Sequence, residues 1–398
     1  MMNGPNLRAL TTADFEESMK LSSFAFQYPL TAEQLEERRA SFLTDDVYRV
    51  GVFQHEHLCA QATLLHLNVY VNGELFSMGG IAGVSTWPEH RRHGYVARIL
   101  KELLVKMKEN GQSISMLHPF SFSFYRKYGW ETYIEYKQYE MSADHLSSLR
   151  NKLSGKHLGT VKRVEDWQML QTTYDRYAKR YNGMLQRGDK WWKESITKRK
   201  PGTYAGAYND QGELDGYMIY EVANRIMTIH EFITLTAAAQ QQLMLYIAQH
   251  DSMIDRLRWT APSDDCFAYG LDNPRIKQEL IPYFMARIVD VEPFIAQYPF
   301  EPSDQEEIFT LQISDEHAPW NNGHFELRIA SSGKATLTKV ELASPQVIIS
   351  IGALTSWLLN YQKWQVLKHV EQLEGSEQAM KRLQLRIREH TTYLTDFF

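Results

Sequence analysis

The first third of the chain alternates between helical and strand patterns of apolar residues. Thr12 and Thr31 each precede a run with apolar residues at helical spacing and acidic or amide side chains in the first turn, which is typical of a helix start. From residue 65 to residue 71 apolar and polar side chains alternate with a period of two, and Asn72-Gly73 follows as a two-residue hairpin turn. The pattern predicts two helices, an antiparallel meander, a helix and a further strand.

The segment STWPEHRRHGYVARILKELL, residues 85–104, leads from a strand through a basic turn into a helix. A helix N-terminus presents unpaired backbone N–H groups and the positive end of the helix dipole, so it can bind an anion such as phosphate. Gly94 allows a close approach of the backbone, and Arg91 and Arg92 can add charged hydrogen bonds. From the residues alone, a phosphate site and a solvated basic turn are equally well supported.

The pattern divides the chain into three units. A similar order of helix, hairpin, strand and helix recurs between about residues 146 and 295, and a proline-containing stretch near residue 299 precedes a strand-rich end. We expect an α/β (α+β) fold with domains over residues 1–145, 146–295 and 296–398. In the second unit the strand-to-helix turn within residues 230–245 has neither glycine nor arginine, so we expect no anion site there.

The composition limits the classes of function. With 43 basic and 48 acidic residues the net charge is −5, so the chain has no overall basic field for nucleic acid. Cys59 and Cys266 are too few for a disulfide framework or a structural zinc site, and we expect no metal. No apolar stretch reaches the roughly 18 residues that span a membrane, and the first residues lack a signal-peptide pattern. We therefore expect a cytoplasmic protein without a nucleic-acid or membrane partner.

The basic turn is similar to the acetyl-CoA signature of the GNAT acetyltransferases, a strand end followed by P-x-x-R-x-x-G-x-G/A. Pro88, Arg91 and Gly94 match this signature, whereas Val96 stands at its last small position. In that departure the sequence resembles the Eis-like (enhanced intracellular survival) branch of the family. The resemblance implies that acetyl-CoA is the cosubstrate and that the strand end and the turn hold it, through Val84, Ser85, Thr86, Arg91, Arg92, His93, Gly94, Tyr95 and Val96.

The segment FYRKYGW, residues 124–130, resembles the GNAT motif F-Y-x-x-x-G-F/W, which implies Tyr125 as the general acid. A phenol with a reference pKa of about 10 can protonate a leaving thiolate at neutral pH. The alternative is a tyrosine packed under the sheet with a structural role. His118, at the end of the strand ISMLH, also matches the Eis-like pattern, and it is equally well explained as a proton carrier or as a structural residue.

The last residues, TTYLTDFF, are apolar and aromatic where chains usually fray. The Eis-like resemblance implies that the terminal carboxylate of Phe398 reaches the active site of the first domain as its base. Alternatively, Phe397 and Phe398 only fill a groove between domains. The same resemblance implies an acceptor pocket lined by Phe24, Phe26, Tyr28, Asp396 and Phe397.

The resemblance implies an N-acetyltransferase that acts on a primary amine of the aminoglycoside, polyamine or lysine type. The resemblance implies two tandem GNAT-like domains, the second degenerate, then a sterol-carrier-protein-like α+β domain that positions the tail. It also implies a homo-oligomer such as the hexamer that Eis-like relatives form. The alternatives are a non-catalytic acyl-CoA-binding regulatory module and a lipid-binding protein that uses the last domain.

Overall fold

Two sheets organise the chain. The structure is a computed structural model and describes residues 4–44, 46–155, 159–341 and 344–398. In these residues the larger sheet has twelve strands: β1 Asn6–Ala9, β2 Val47–Gln54, β3 His57–Val71, β4 Glu74–Thr86, β5 Ile114–Leu117, β6 Glu131–Ser142, β7 Thr160–Val164, β8 Thr203–Tyr208, β9 Leu214–Ala223, β10 Ile226–Thr234, β11 Arg256–Pro262 and β12 Lys277–Ile288. The smaller sheet has five: β13 Glu307–Ser314, β14 Gly323–Ile329, β15 Ala335–Lys339, β16 Val347–Ser350 and β17 Leu373–Gly375.

Helices cover the sheets. In chain order they are α1 Phe15–Phe26, α2 Ala32–Ala40, α3 Tyr95–Glu109, α4 Phe122–Arg126, α5 Ala143–Leu153, α6 Gln171–Ala178, α7 Asp189–Trp191, α8 Thr197–Arg199, α9 Ala237–Ala248, α10 Val291–Gln297, α11 Ile351–Leu358, α12 Trp364–His369 and α13 Glu377–Gln384. Within the described ranges, no helix is both long enough and apolar enough to cross a membrane.

Local signals in the sequence correspond to the observed helix start and hairpin. The Thr31 hydroxyl accepts a hydrogen bond from the Gln34 amide, and the Gln34 side chain accepts one from the Thr31 amide, so the predicted cap of α2 is confirmed. Asn72 and Gly73 have φ angles of 51° and 82° and join β3 to β4, as predicted. The prediction for Thr12 was wrong by one residue, because Thr11 is the cap of the 3₁₀ turn that precedes α1.

Strand β12 links the two halves of the large sheet. The strands of this sheet lie in the order β1-β2-β3-β4-β5-β12-β6-β11-β10-β9-β8-β7. Strand β12 is antiparallel to both of its neighbours, β5 and β6. Strand β12, the last strand of the large sheet in chain order, therefore extends the half that is built from β1 to β5. The predicted first and second domains, residues 1–145 and 146–295, contribute strands to the same continuous sheet. Their boundary as independent domains remains a prediction.

The C-terminal unit packs against β12 through buried polar contacts. The Arg287 guanidinium on β12 is fully buried and donates to the Asp315 carboxylate and to the Tyr128 carbonyl. Every residue of α11 except Gly352 is buried, and the Ile288 amide donates to the Thr355 hydroxyl of that helix at 2.9 Å. Helix α11 is thus part of the protein core, as the sequence pattern favoured.

Candidate active site

A gap opens between β4 and β5 where their pairing stops. The two strands pair in parallel from Met78–Ile114 to Ile81–Leu117, and β5 ends there. Strand β4 continues to Thr86 and pairs on its other side with β3. In the described part of the chain, residues 82–86 therefore have no strand partner on the side that faces β5. Their free backbone groups can hydrogen-bond an extended ligand that enters the gap.

The residues of β4 beside this gap differ in exposure. Val84 and Thr86 are partly exposed, whereas Ser85 is buried and its hydroxyl donates to the Gly83 carbonyl at 3.3 Å. Gly83 has a φ of +60°, and the pairing with β3 shifts register between Gln61 and Thr63. This bulge re-aims the end of β4 and makes its backbone available at the gap.

The basic turn follows β4 and leads into an uncapped helix. Gly94 occupies the cap position of α3 with a φ of +76°, and no side chain caps the first turn. Arg91, Arg92 and His93 are all exposed around it. Uncapped amides beside flanking cations are an arrangement that can bind an anion.

The two residues that begin α3 turn toward the core. Tyr95 is buried, and Val96 is partly buried against the apolar cluster between α3 and the sheet. The branched side chain of Val96 is therefore accommodated by packing rather than by the turn.

The corresponding turn of the second unit lacks this surface. The Thr236 hydroxyl caps α9 and accepts a hydrogen bond from the Ala239 amide at 3.1 Å. A side chain of the protein thus occupies the position that an anion would take. That only the first unit binds the cosubstrate remains a prediction.

Tyr125 lies in α4 beneath the gap. The Ser121 hydroxyl caps α4, and the Tyr125 side chain is 2% exposed among the rings of Phe120, Phe124 and Trp130. Burial raises the pKa of the Tyr125 phenol well above its usual value of 10. The hydroxyl therefore keeps its proton throughout the neutral range and can act as a donor.

His118 follows β5 at the mouth of the gap. Its imidazole lies against the rings of Tyr283 and Phe397, with centroid distances of 5.4 and 5.0 Å. Although part of the ring faces solvent, partial desolvation lowers the pKa of His118 below its usual 6.5. This shift favours the neutral imidazole, which can either accept a proton or serve as a packing surface.

The C-terminal tail crosses the second unit and ends at the first. The Asn182 amide donates to the Thr391 carbonyl and the Tyr393 amide donates to the Asn182 carbonyl, both at 2.9 Å. Further along, the Tyr283 hydroxyl donates to the Asp396 carbonyl at 2.8 Å. The tail is thus held by backbone contacts along its length.

The last two residues lie beside β4, β5 and β12. Arg199 donates to the Phe397 carbonyl at 2.9 Å, and the ring of Phe398 packs on that of Phe284 at a centroid distance of 4.8 Å. A methyl group at Gly80 would come within 2.9 Å of the Phe398 ring, so this glycine leaves room for it. A methyl group at neighbouring Gly79 would meet Met107 of α3 instead. Phe398 therefore lies on the face of the sheet opposite α3.

The predicted acceptor residues do not lie together. Phe24 and Phe26 are each 50% exposed; Phe24 packs on Trp87, and Phe26 stacks on Tyr28. In the described residues none of these three makes a ring contact with the tail, whereas Phe397 contacts His118 directly. The Asp396 carboxylate is fully buried and paired with Arg187, so it faces the interior rather than an incoming amine.

A cavity of about 220 Å³ lies beside the tail. Its lining residues are Ser195, Ile196, Arg199, Lys200, His230, Tyr283, Thr395, Asp396 and Phe397. The sequence reasoning missed Arg187, Arg199 and Tyr283, which hold the tail. No motif marks them, because they are far from the tail along the chain, and only the aromatic character of the tail suggested that something buries it.

Comparison with known proteins identifies all three units. The family model for the acetyltransferase (GNAT) domain matches residues 6–133, a second acetyltransferase (GNAT) domain model matches residues 183–288, and the sterol carrier protein domain model matches residues 291–395. An uncharacterized N-acetyltransferase of Streptomyces griseus is 22% identical over 89% of both chains. N-acetyltransferase Eis of Mycobacterium tuberculosis is 23% identical over 75% of both chains.

Solved structures share the whole architecture. A probable N-acyltransferase from Enterococcus faecalis has a TM-score of 0.90 and 28% identity over all of both chains. Eis1 from Mycobacterium abscessus has a TM-score of 0.80 over 99% of this chain and 100% of its own, and at 17% identity it shows the fold alone.

With its two acetyltransferase domains and the open strand end beside an uncapped helix, the protein is an acetyltransferase of the GNAT superfamily. Within that superfamily the chain belongs to the Eis-like proteins, which carry a sterol-carrier-protein-like domain at the C-terminus. GNAT domains use acetyl-CoA as cosubstrate, and the free backbone of β4 and the anion-binding turn fit such a molecule.

A pair of variants at Gly94 tests the anion-binding turn. Asp and Asn both tolerate a positive φ, but only Asp places a negative charge at the helix N-terminus where phosphate would bind. We expect wild type to bind one acetyl-CoA per chain, and Gly94→Asp to bind it about tenfold more weakly than Gly94→Asn, measured by isothermal titration calorimetry. Equal affinities for the two variants, or two molecules bound per chain, would contradict this.

Proposed function

We propose that the chain transfers the acetyl group of acetyl-CoA to a primary amine at the gap between β4 and β5. The supporting observation is that a buried phenol and the chain end approach this gap from opposite faces of the sheet. Tyr125 belongs to the core cluster that includes Ile81 and Leu117 on the α3 side. Phe398 packs at Gly80 on the other side.

The cosubstrate is held by the residues that the gap and the turn expose. The backbone of Val84 and Thr86 is free on the side that faces β5, and the amides from Arg92 to Val96 surround the uncapped end of α3. Arg91 and Arg92 add positive charge at the protein surface. Bound acetyl-CoA supplies the acetyl group as an activated thioester.

The Tyr125 hydroxyl acts as the general acid. When the amine nitrogen bonds to the acetyl carbon, the carbon–sulfur bond breaks and the sulfur needs a proton, which Tyr125 donates. Burial favours the neutral phenol, so the donor is protonated before each turnover. The proton released by the amine leaves to water through the tail side of the gap, and water returns a proton to the Tyr125 phenolate.

The terminal carboxylate of Phe398 orients the attacking amine. An α-carboxylate has a reference pKa of about 3.5, so at neutral pH it acts mainly by accepting hydrogen bonds from the ammonium group and from water that carries its proton away. Neutral His118, at the same mouth, is the second candidate acceptor for this proton. The aromatic anchor of Phe398 keeps the carboxylate in place.

The acceptor is an amine whose binding does not require several positive charges on the molecule. Asp396, the acidic side chain among the residues lining the cavity beside the tail, is neutralised by Arg187. Arg199 and Lys200 line the same cavity, and the charge of Lys200 is paired with Glu231, so Arg199 is the cation that the lining adds. We therefore favour, among the amine classes expected from the sequence, a lysine-type acceptor that also carries a carboxylate over a polyamine or an aminoglycoside.

The substitution Tyr125→Phe tests catalysis against a binding role. We expect kcat to fall by about 100-fold, since a general acid contributes on this scale, while the dissociation constant for acetyl-CoA stays within about twofold. A thiol-release assay and calorimetry measure the two quantities. Unchanged kcat would exclude Tyr125 as the acid, and no turnover in wild type with any amine would favour the regulatory-module alternative.

Variants at the chain end test the role of the carboxylate. One glycine added after Phe398 moves the terminal carboxylate by about 3.5 Å, and we expect kcat to fall at least about tenfold. Phe398→Leu keeps both the carboxylate position and an apolar anchor, so it serves as the control, with a change of less than about threefold expected. If turnover of the extended chain stays within about twofold of wild type, the carboxylate has no catalytic role.

A panel of acceptors tests the charge preference. We expect a lysine derivative with a free carboxylate to have a higher kcat/KM than spermidine or an aminoglycoside, because Arg199 adds positive charge to the lining of the cavity. Arg199→Gln should narrow that difference, whereas Arg225→Gln, at an exposed ion pair elsewhere, should not. A preference for polycations that Arg199→Gln leaves unchanged would contradict this assignment.

A further inference from the structure

We infer that a buried charge cluster in the second unit, formed by Arg187, Glu231, Lys200 and Asp396, positions the end of the tail at the active site of the first unit. Asp396 is the tail's contribution to this cluster. It is a positioning residue, since it touches none of the reacting atoms. The catalytic consequence rests on the proposed function, whereas the structural consequence does not.

Arg187 joins the tail to the second unit. Its Nε donates to Asp396 Oδ1 at 3.0 Å, and its Nη2 donates to Glu231 Oε1 at 2.6 Å. All three side chains are completely buried. The Trp191 ring nitrogen donates to Asp396 Oδ1 at 2.7 Å, so the tail carboxylate is held from two directions.

Glu231 completes the cluster at the bulge of β10. It accepts hydrogen bonds from Lys200 at 2.8 Å and from the Thr395 hydroxyl at 2.9 Å. Although burial alone raises the pKa of Glu231, the charges of Arg187 and Lys200 outweigh it and hold the pKa well below its usual range. Two cations therefore face two carboxylates, and the cluster is neutral only when Asp396 is in place.

The cluster fixes the register of the tail. If the tail slipped by one residue, Arg187 would face Thr395 or Phe397, and Glu231 alone would have to neutralise two buried cations. An unpaired buried charge is strongly unfavourable, so the slipped arrangement is excluded. A slip of one residue would move the chain end by about 3.5 Å, more than catalytic geometry tolerates. A single buried polar contact can in this way specify an alignment.

Contacts beyond Asp396 carry this alignment to the active site. The Phe397 carbonyl accepts from Arg199, the Phe397 ring contacts His118, and the Phe398 ring fills the space left by Gly80. Only two residues separate the buried carboxylate from the chain end. A displacement of Asp396 therefore also displaces the chain end at the gap between β4 and β5.

The substitution Asp396→Asn tests this positioning. It keeps the size of the side chain but removes the charge that pairs with Arg187. Glu389→Gln is the matched control, because Glu389 precedes the tail in an exposed ion pair with Lys363. Hydrogen–deuterium exchange of the peptide 391–398, read by mass spectrometry well below the unfolding midpoint of each variant, reports on the tail. Steady-state acetyl transfer reports on the active site.

We expect the tail peptide of Asp396→Asn to exchange at least about tenfold faster than that of wild type, with kcat lower by about tenfold or more and the KM for acetyl-CoA unchanged. Glu389→Gln should match wild type in all three. Unchanged exchange in Asp396→Asn overturns the inference, whatever the activity. Faster exchange with normal kcat supports the anchoring of the tail and instead excludes the proposed role of the terminal carboxylate.

A milder variant covers the case in which Asp396→Asn does not fold. Thr395→Val keeps all four charges and removes only the hydroxyl that donates to Glu231 and accepts from Arg187. We expect the same peptide to exchange about threefold faster than in wild type. We also expect kcat to decrease, as in Asp396→Asn. Exchange equal to that of wild type would overturn the inference.

Discussion

The insertion of β12 between β5 and β6 is the contact on which the rest of the architecture depends. Strand β5 has only four residues and ends at Leu117, so its pairing with β12 is what continues the sheet past the gap. The strand also brings Arg287 to Asp315 and Ile288 to α11, which docks the C-terminal unit on the sheet. One strand thus connects all three units and sets the frame in which the tail reaches β4.

The two acetyltransferase units differ in how the helix after the strand begins. In the first unit Gly94 leaves the amides of α3 without a side-chain partner and two arginines flank them. In the second unit Thr236 satisfies an amide of α9 directly. Capping stabilises a helix, and it also removes the unpaired donors that an anion needs. The sheet of the second unit serves instead as a support, since the buried cluster around Glu231 holds the tail there.

The two faces of the sheet beside the gap provide contrasting environments. Tyr125 is surrounded by aromatic rings, and its burial favours the neutral phenol. On the opposite face the tail brings polar backbone groups, Arg199 and His118 near the acceptor side. The C-terminal unit ends in the tail, which contacts the second unit through Asn182 and Tyr283.

Features that depend on near neighbours in the chain could be predicted from the sequence. The cap at Thr31, the turn at Asn72-Gly73 and the glycine before α3 rest on contacts within a few residues, and the motifs around Gly94 and Tyr125 indicated the family. Other contacts join residues more than one hundred positions apart in the sequence. They are the pairing of β12 with β5, the ion pair of Arg187 with Asp396 and the packing of Phe398 on Gly80. Asp396 was expected to face the acceptor, yet it is buried, because a sequence gives the charge of a side chain but not the partner that neutralises it. Only the folded chain determines which distant charges meet, since that depends on how the whole core packs.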